Sequence, residues 1–223
     1  MKRHRFTILE LLLVLGLSAA MLTIAVPAFY RTMRGSATGN AARELMGKIS
    51  AARAYAASSR TDVAIVFPRG DEANVDNSLK YSAYRVCEVD ISGSTITFKR
   101  WVPGENWTYL PNGVVIGRCN SGDDTFHTTT DNKNSTGNSG TPAIGSVPAY
   151  LGSSGTSTSI RNSIVIRMDG LLYNLQPVLI RLKQGTVNSS GTVTLTPPNQ
   201  ADYLPLTVLF NGKTKLFREL VSE

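Results

Sequence analysis

The residue of this sequence with the clearest chemical role is Glu10, a carboxylate at the edge of a long apolar run. No charged side chain occurs from Leu11 to Phe29. A helix of that length, at about 1.5 Å per residue, nearly crosses a hydrocarbon core of about 30 Å. An ionised carboxylate inside lipid costs roughly 2.5–3.5 kcal/mol and is normally kept where a partner neutralises it. Glu10 is therefore predicted to pair with a cation, the alternative being a shallow position from which its side chain reaches the headgroups.

Other groups suited to catalysis or metal binding are few. His4 and His127 are isolated from each other and from the cysteines, and there is no Cys-x-x-Cys pair, so the ligand spacing of a zinc site is absent. His127 also lies in a segment rich in Thr, Asp and Asn, which is a poor scaffold for a general base that needs a fixed orientation. We therefore expect no enzyme, no cofactor, no metal and no small-molecule substrate.

The two cysteines, Cys87 and Cys119, lie in the part of the chain that is predicted below to be exported. Oxidising conditions there would permit a disulfide between them. The sequence leaves the question open, because two buried free thiols fit it equally well.

Basic residues near the carboxy terminus are candidates for binding nucleic acid. Lys213 and Lys215 would share one face of a strand, because side chains alternate with a period of two, and Arg218 follows them. Arg181 and Lys183 lie on an earlier apolar run. Ordinary solvent-facing charges are the simpler interpretation, since acidic residues are close by, so nucleic acid is a secondary expectation.

Three aromatic residues flank a Pro-Gly turn: Trp101, Trp107 and Tyr109. They would form an exposed binding edge if they face solvent, although core packing is the commoner fate of Trp. The sequence does not decide between these alternatives.

One long helix is predicted to position the amino-terminal residues. After Pro27, the expected site of a kink, apolar residues continue at three- and four-residue spacing to about Ser58. That spacing is the pattern of a helix with one buried face. Its members are Met33, Ala37, Ala41, Leu45, Ile49, Ala52 and Ala56. Residues 6–30 would form the membrane-spanning half of the helix and residues 31–59 its amphipathic half. The alternative is a membrane anchor followed by a separate short helix.

Residues 60–223 are predicted to form a mainly antiparallel β domain, because short apolar and β-branched runs alternate there with turn residues. The predicted strands are Asp62–Phe67, Tyr84–Ile91, Thr95–Val102, Gly113–Gly117, Ile160–Met168, Leu171–Leu175, Val178–Lys183, Thr192–Thr196, Leu206–Phe210 and Lys213–Phe217. Asn211-Gly212 would join the last two strands through a type I′ turn. Residues 120–159, rich in Ser, Thr, Gly and Asn, are predicted to be a surface insertion with too little apolar surface to order itself.

Length and charge suit a membrane anchor followed by one exported domain. The chain has 223 residues and a formal charge of +7, enough for one helix and one domain of ordinary size. Lys2, Arg3 and Arg5 precede the apolar run and would keep the amino terminus in the cytoplasm. We expect residues 1–5 to be a leader and the carboxy-terminal domain to be periplasmic or extracellular. A conventional signal peptide is the competing interpretation, but no clear small-x-small cleavage site follows the run.

The spacing of Phe6, Glu10 and Pro27 resembles the class III signal of type IV pilins and type II secretion pseudopilins. The resemblance implies that a prepilin peptidase cuts between Arg5 and Phe6 and that the new amino terminus at Phe6 is methylated. It also implies that Glu10 pairs with the terminal amine of a neighbouring subunit and that Pro27 is the helix-bending proline. One departure is Arg5, which stands where the family has Gly. Either the peptidase accepts a basic residue there or the leader persists.

Later segments are similar to a narrower group, the GspH/FimT-like minor pseudopilins and minor pilins. Ala41–Arg60 followed by Val63–Phe67 is similar to their helix end and first strand. Ile164–Gly170 and Val208–Gly212 are similar to their two strand-then-Gly segments.

The resemblance implies an α+β, pilin-like fold, in which a long amino-terminal membrane-spanning helix packs against a mainly antiparallel β-sheet domain. It further implies a single-pass structural subunit of a type II secretion pseudopilus or a type IV pilus in the bacterial inner membrane, with other pilins as its partners. The alternative role is a pilus-tip module that binds DNA for uptake or captures a secreted substrate.

Overall fold

The computed structural model describes residues 8–70, 72, 75–116, 126–128, 143–148, 157–160, 162–173, 175, 177–196 and 204–216, with the backbone alone for residues 24–35, 126–128 and 157–159. Contacts divide the chain into two units, Met1–Ser36 and Ala37–Glu223. One helix, α1 (Ile8–Ser59), contributes residues to both units. The predicted leader, residues 1–5, lies outside the described residues.

The helix α1 agrees with the predicted single helix rather than with an anchor followed by a separate short one. Its end at Ser59 is within one residue of the predicted end. In the first unit, ten large apolar side chains of α1 are at least 56% exposed: Ile8, Leu9, Leu11, Leu12, Leu13, Val14, Leu15, Leu17, Met21 and Leu22. Among the helical residues that the structure describes, no stretch combines the length and the apolar character needed to cross a bilayer.

In the second unit, the predicted apolar stripe of α1 is buried. Five of its predicted members are no more than 4% exposed: Ala41, Leu45, Ile49, Ala52 and Ala56. Ala37 is partly buried against the same core cluster, and Ala42, which was not predicted, is 0% exposed. The side chain of Met33 lies outside the described residues. The helix ends because Arg60 adopts the left-handed conformation, with φ 52°, and the N–H of Thr61 donates to the carbonyl of Ala56 at 3.3 Å. This is the hydrogen bond of a Schellman cap.

Thirteen strands follow α1 in the described part of the chain: β1 (Val63–Val66), β2 (Ala83–Ser92), β3 (Thr95–Trp101), β4 (Thr108–Tyr109), β5 (Val114–Ile116), β6 (Phe126–Thr128), β7 (Ile144–Pro148), β8 (Ser157–Ile160), β9 (Ser163–Ile166), β10 (Val178–Val187), β11 (Val193–Leu195), β12 (Leu204–Val208) and β13 (Thr214–Leu216). They form two sheets. The first has the order β8-β7-β3-β2-β1-β9, with β4 paired to β2, and the second has the order β11-β10-β12-β13, with β5 and β6 paired to β10. Pairing is antiparallel except between β3 and β7.

Side-chain alternation along β1 places a different core on each face of the first sheet. Val63 and Ile65 join a cluster that also contains the buried stripe of α1 and the inward residues of the second sheet. Ala64 and Val66 join a second cluster on the opposite face, which includes Cys87. All four residues of β1 are 0% exposed. The second unit therefore has the predicted α+β fold, with α1 packed against mainly antiparallel sheets.

The predicted strand Leu171–Leu175 is wrong. Among the described residues of this segment, only Leu172 forms a bridge, to Ile166. The segment turns instead, because the N–H of Gly170 donates to Arg167 at 2.8 Å and the N–H of Leu175 donates to Leu172 at 3.0 Å.

The prediction that residues 120–159 form only a surface insertion is also wrong in part. The strand β6 pairs with β10, and β7 joins β3 to β8 in the first sheet. Ile144 and Val147 of β7 are 0% and 1% exposed and belong to the second core cluster. Two correctly spaced apolar residues suffice to place a short strand in a sheet, even where most of the neighbouring residues are polar.

The turn at Asn211-Gly212 differs from the predicted type I′ turn. Only Gly212 of the pair has a positive φ, of 72°. The N–H of Gly212 donates to Leu209, and the N–H of Leu209 donates to Lys213, both at 2.7 Å. This is a three-residue hairpin loop whose last residue is left-handed. The N–H of Lys213 also donates to Oδ1 of Asn211 at 3.1 Å, so the Asn side chain stabilises the loop in place of a second positive φ.

Candidate functional site

The amino-terminal site predicted from the sequence is described only at Glu10. This carboxylate lies in the first turn of α1 and is exposed, amid the exposed apolar side chains of the first unit. The predicted cleavage and methylation position, Arg5 and Phe6, lies outside the described residues. Pro27 lies within the helical backbone, and its side chain is not described. The structure thus shows an exposed carboxylate on an apolar helix, and its pairing with a neighbouring subunit stays a prediction.

The buried carboxylate of Glu88 connects the second half of α1 to the first sheet. Its side chain is 1% exposed. The hydroxyl of Tyr55 donates to its Oε1 at 2.8 Å, and Nε of Arg100 donates to its Oε2 at 2.8 Å, while Nη2 of Arg100 lies 2.8 Å from Oε1. The hydrogen bond from Arg100 is the main cause that lowers the pKa of Glu88. The same carboxylate raises the pKa of Tyr55 through its hydrogen bond.

Two further polar contacts hold α1 about two and three turns before Tyr55. The ammonium of Lys48 pairs with Glu105, and the hydroxyl of Tyr84 donates to Oε1 of Glu44 at 3.2 Å. Burial, followed by the charge of Glu44, raises the pKa of Tyr84. Side chains spaced along α1 therefore fix its position on the β sheets within the second unit.

A groove of about 590 Å³ lies between α1 and two glycine-containing turns. Its wall consists of Ser50, Arg53, Ala54, Ala57, Asp169, Gly170, Gly212, Lys213 and Thr214. The side chain of Arg53 fits against both glycines: a Cβ on Gly170 would lie 3.0 Å from its Nε, and a Cβ on Gly212 would lie 2.9 Å from its Cδ. Both glycines have positive φ, of 78° and 72°. The two Gly turns singled out in the sequence are thus brought together against one arginine.

Arg53 was not among the site residues predicted from the sequence. A signal for it exists, because Arg53 follows Ile49 by four residues and precedes Ala56 by three, so it borders the buried stripe of α1. A cation at such a position needs a place where its stem can pack and its guanidinium can reach solvent. Gly170 and Gly212, which have no side chains, leave room for Arg53 beside these two turns.

The basic residues predicted to bind nucleic acid differ in exposure where the structure describes them. Lys213 directly precedes β13 and lines the groove, and Lys215 is exposed on β13. Lys183 is 1% exposed, which contradicts its interpretation as a solvent-facing charge, and burial lowers its pKa. Arg181 is partly buried, and Arg218 lies outside the described residues.

The two tryptophans pack, and the tyrosine beside them is exposed. Trp101 meets Trp107 at a centroid distance of 5.6 Å and Phe98 at 4.9 Å, and the guanidinium of Arg85 lies 4.1 Å from the centre of the Trp101 ring. All three rings pack against the second core cluster. Tyr109 is 52% exposed. The tryptophans therefore pack against the core and do not form the exposed binding edge that was the other alternative.

Cys87 is a free thiol in the structure and is fully buried. Burial raises its pKa to about 12, so the neutral thiol is the stable form. Cys119, the possible partner in a disulfide, lies outside the described residues.

Comparison with protein-family models and with curated proteins finds no match. Among solved structures, the minor pseudopilin EPSH from the type II secretion system of Vibrio cholerae aligns with a TM-score of 0.44 and 10% identity, over 84% of this chain and 98% of that one. The type IV minor pilin FimU of Pseudomonas aeruginosa aligns with a TM-score of 0.39 and 13% identity, over 81% of this chain and 87% of that one.

Proposed function

We propose that the chain is a minor pilin or pseudopilin, a structural subunit that joins a filament through its amino-terminal helix. The observation that supports this most directly is the first unit, where ten large apolar side chains are exposed around one carboxylate, Glu10. Exposed apolar surface on that scale marks a membrane or protein contact. With the run of uncharged residues from Leu11 to Phe29, it is consistent with a helix that lies in the inner membrane and later among other helices.

The proposed mechanism is directional packing. Apolar helices in lipid gain little from the hydrophobic effect when they associate, because lipid tails are as apolar as their side chains. A charge pair between Glu10 and the amine of Phe6 on a neighbouring subunit would therefore supply both register and selectivity. The pair requires a prepilin peptidase to expose that amine by removing residues 1–5. The basic residues of this leader would hold it in the cytoplasm, with the β domain periplasmic or extracellular.

The second unit would present a rigid, non-enzymatic domain on the filament. Its helical part is fixed to the sheets by the contacts at Glu44, Lys48 and Tyr55. A load applied to the helix would therefore be passed to the sheets through apolar packing and three polar contacts. This is a mechanical role, for which catalytic groups are not needed.

Mass spectrometry of the mature amino terminus tests the proposal. In cells that assemble the filament, we expect the chain to begin at Phe6 and to bear one methyl group on its amine. In matched cells without the peptidase, the chain should retain residues 1–5 and stay in the membrane fraction. A filament-borne chain that still begins at Met1 would contradict the proposed pairing.

A further inference from the structure

Two loops of the second unit meet beside the Arg53 groove and expose apolar side chains there. The N–H of Leu172 donates to the carbonyl of Phe210 at 2.8 Å, which ties the loop after β9 to the loop between β12 and β13. On these loops Met168, Leu175 and Phe210 are 55%, 55% and 50% exposed. They are three of the five exposed large apolar residues described in this unit, the others being Tyr109 and Leu216. Most of the exposed large apolar side chains described in this unit are thus on these two loops.

The groove next to this patch has an excess of positive charge. Arg53 and Lys213 line it together with one acid, Asp169. That acid is already engaged, because its Oδ2 lies 3.7 Å from Nη2 of Arg167 and its Oδ1 accepts the N–H of Leu171 at 3.0 Å. An incoming anion would therefore meet two cations and one carboxylate, whose own ion-pair partner is Arg167.

We propose that the groove and the neighbouring loops form a docking surface for a carboxylate-bearing segment of another protein subunit, with apolar residues beside the acid. The carboxylate would lie between Arg53 and Lys213, and its apolar neighbours would cover Phe210 and Met168. Protein interfaces combine such an apolar centre, often with Phe, Met and Arg, with a polar rim. A volume of about 590 Å³ accommodates a few side chains.

Nucleic acid fits the same surface less well. Interfaces with DNA are more polar than those with proteins, and the aliphatic side chains of Met168 and Leu175 would gain little against phosphates. Among the described lining residues no aromatic ring is placed inside the groove for a base to stack on.

This surface is distinct from the amino-terminal pairing, so its test needs neither leader removal nor filament assembly. The full chain in detergent micelles is titrated into an end-labelled peptide with a Leu-Glu-Leu-Glu-Phe core, and anisotropy is recorded. A peptide with Gln in place of both Glu residues and a single-stranded oligonucleotide of similar length serve as competing probes. We expect the Glu peptide to bind, the Gln peptide to bind more weakly, and added salt to weaken the Glu peptide.

Matched variants locate the site. Lys213→Gln should weaken the Glu peptide about fivefold, the effect of one exposed ion pair worth about 1 kcal/mol, and Phe210→Ser should weaken both peptides. The controls Lys215→Gln and Tyr109→Ser remove a similar charge and a similarly exposed ring elsewhere and should leave binding unchanged. No binding of the Glu peptide to the wild-type chain, or equal effects of Lys213→Gln and Lys215→Gln, would overturn the proposal. Oligonucleotide binding that depends on both lysines would assign the surface to nucleic acid instead.

Discussion

The hydroxyl of Tyr55 donates a 2.8 Å hydrogen bond to the buried carboxylate of Glu88, 33 positions later in the chain. Because Arg100 pairs with the same carboxylate, one charged group joins α1 to β2 and β3. Breaking this contact would free the helix from the sheet at a point close to its end. The carboxylate of Glu88 therefore links three elements of the second unit.

Replacing this carboxylate should make the protein less stable at neutral pH and less sensitive to acid. The pKa of Glu88 is lowered in the folded protein, first by Arg100. Its contribution is therefore complete above its ordinary pKa of 4.5 and is lost as the pH falls through the lower, folded value. We expect Glu88→Gln to lower the free energy of unfolding at pH 7 by about 1–2 kcal/mol. The difference from wild type should shrink as the pH falls below 4.5, measured by denaturant titration at each pH.

Asp90→Asn is a matched control for this experiment. Asp90 is on the same strand, but its side chain is 65% exposed and its ion pair with Lys99 is 3.6 Å long. Such pairs contribute little, so this variant should follow the wild-type pH profile. A difference for Glu88→Gln that stays constant down to pH 2 would show that the lowered pKa is not the source of its stabilising effect.

The contact between the two Gly turns and Arg53 predicts different costs for two glycine substitutions. A Cβ at Gly212 would lie 2.9 Å from Arg53 and 3.0 Å from the carbonyl of Gly170, whereas a Cβ at Gly104, which also has a positive φ, would meet nothing within 4 Å. Gly104→Ala should cost about 1 kcal/mol for its left-handed backbone alone. Gly212→Ala should cost about 1 kcal/mol more, as judged by the midpoint of denaturant unfolding. Equal costs would mean that the turn does not press on Arg53.

The buried thiol of Cys87 should be protected from alkylation in the folded protein. A thiol with a pKa of about 12 has very little reactive thiolate at pH 8. We expect Cys87 to resist a maleimide reagent under native conditions and to react fully in denaturant without a reductant, as read by peptide mapping that reports Cys87 separately. If reaction in denaturant required prior reduction, Cys87 would be in a disulfide, the alternative that the sequence left open.

The helix and several strands could be predicted where the periodicity of apolar residues is strong. The stripe from Ala41 to Ala56 predicted the buried face of α1 because apolar residues recur there at helical spacing. The strands β1 and β2 were predicted to within about one residue, since β1 is a short apolar run and polar and apolar residues alternate along much of β2. These patterns are local, so a single sequence is enough to detect them.

The features that could not be predicted depend on contacts between residues that are distant in the sequence. Nothing near Ile144 predicts that β7 pairs in parallel with β3, because that pairing is set by the sheet and not by the segment itself. The burial of Lys183 is hidden in the same way, since alternation alone places it on the face opposite the main core and does not say what covers that face. Arg53 is explained only when Gly170 and Gly212, separated by more than 40 positions, are seen on either side of it.

The proposed role as a filament subunit depends on the exposed carboxylate at the start of α1. Glu10 is the acid of the first helical turn, and lateral pairing with a terminal amine would make its charge essential for assembly but not for membrane insertion. Glu10→Ala and Glu10→Gln both remove that charge, and the Gln variant keeps nearly the same size. Both variants should therefore reach the membrane in the same amount as the wild-type chain.

The most direct measurement is the fraction of the chain found in filaments sheared from assembling cells, compared with the amount in their membranes. We expect both Glu10 variants to fall at least tenfold in the filament fraction, with membrane levels unchanged. Incorporation of the Glu10→Gln chain at the wild-type level would contradict the proposed pairing of Glu10 with a neighbouring subunit.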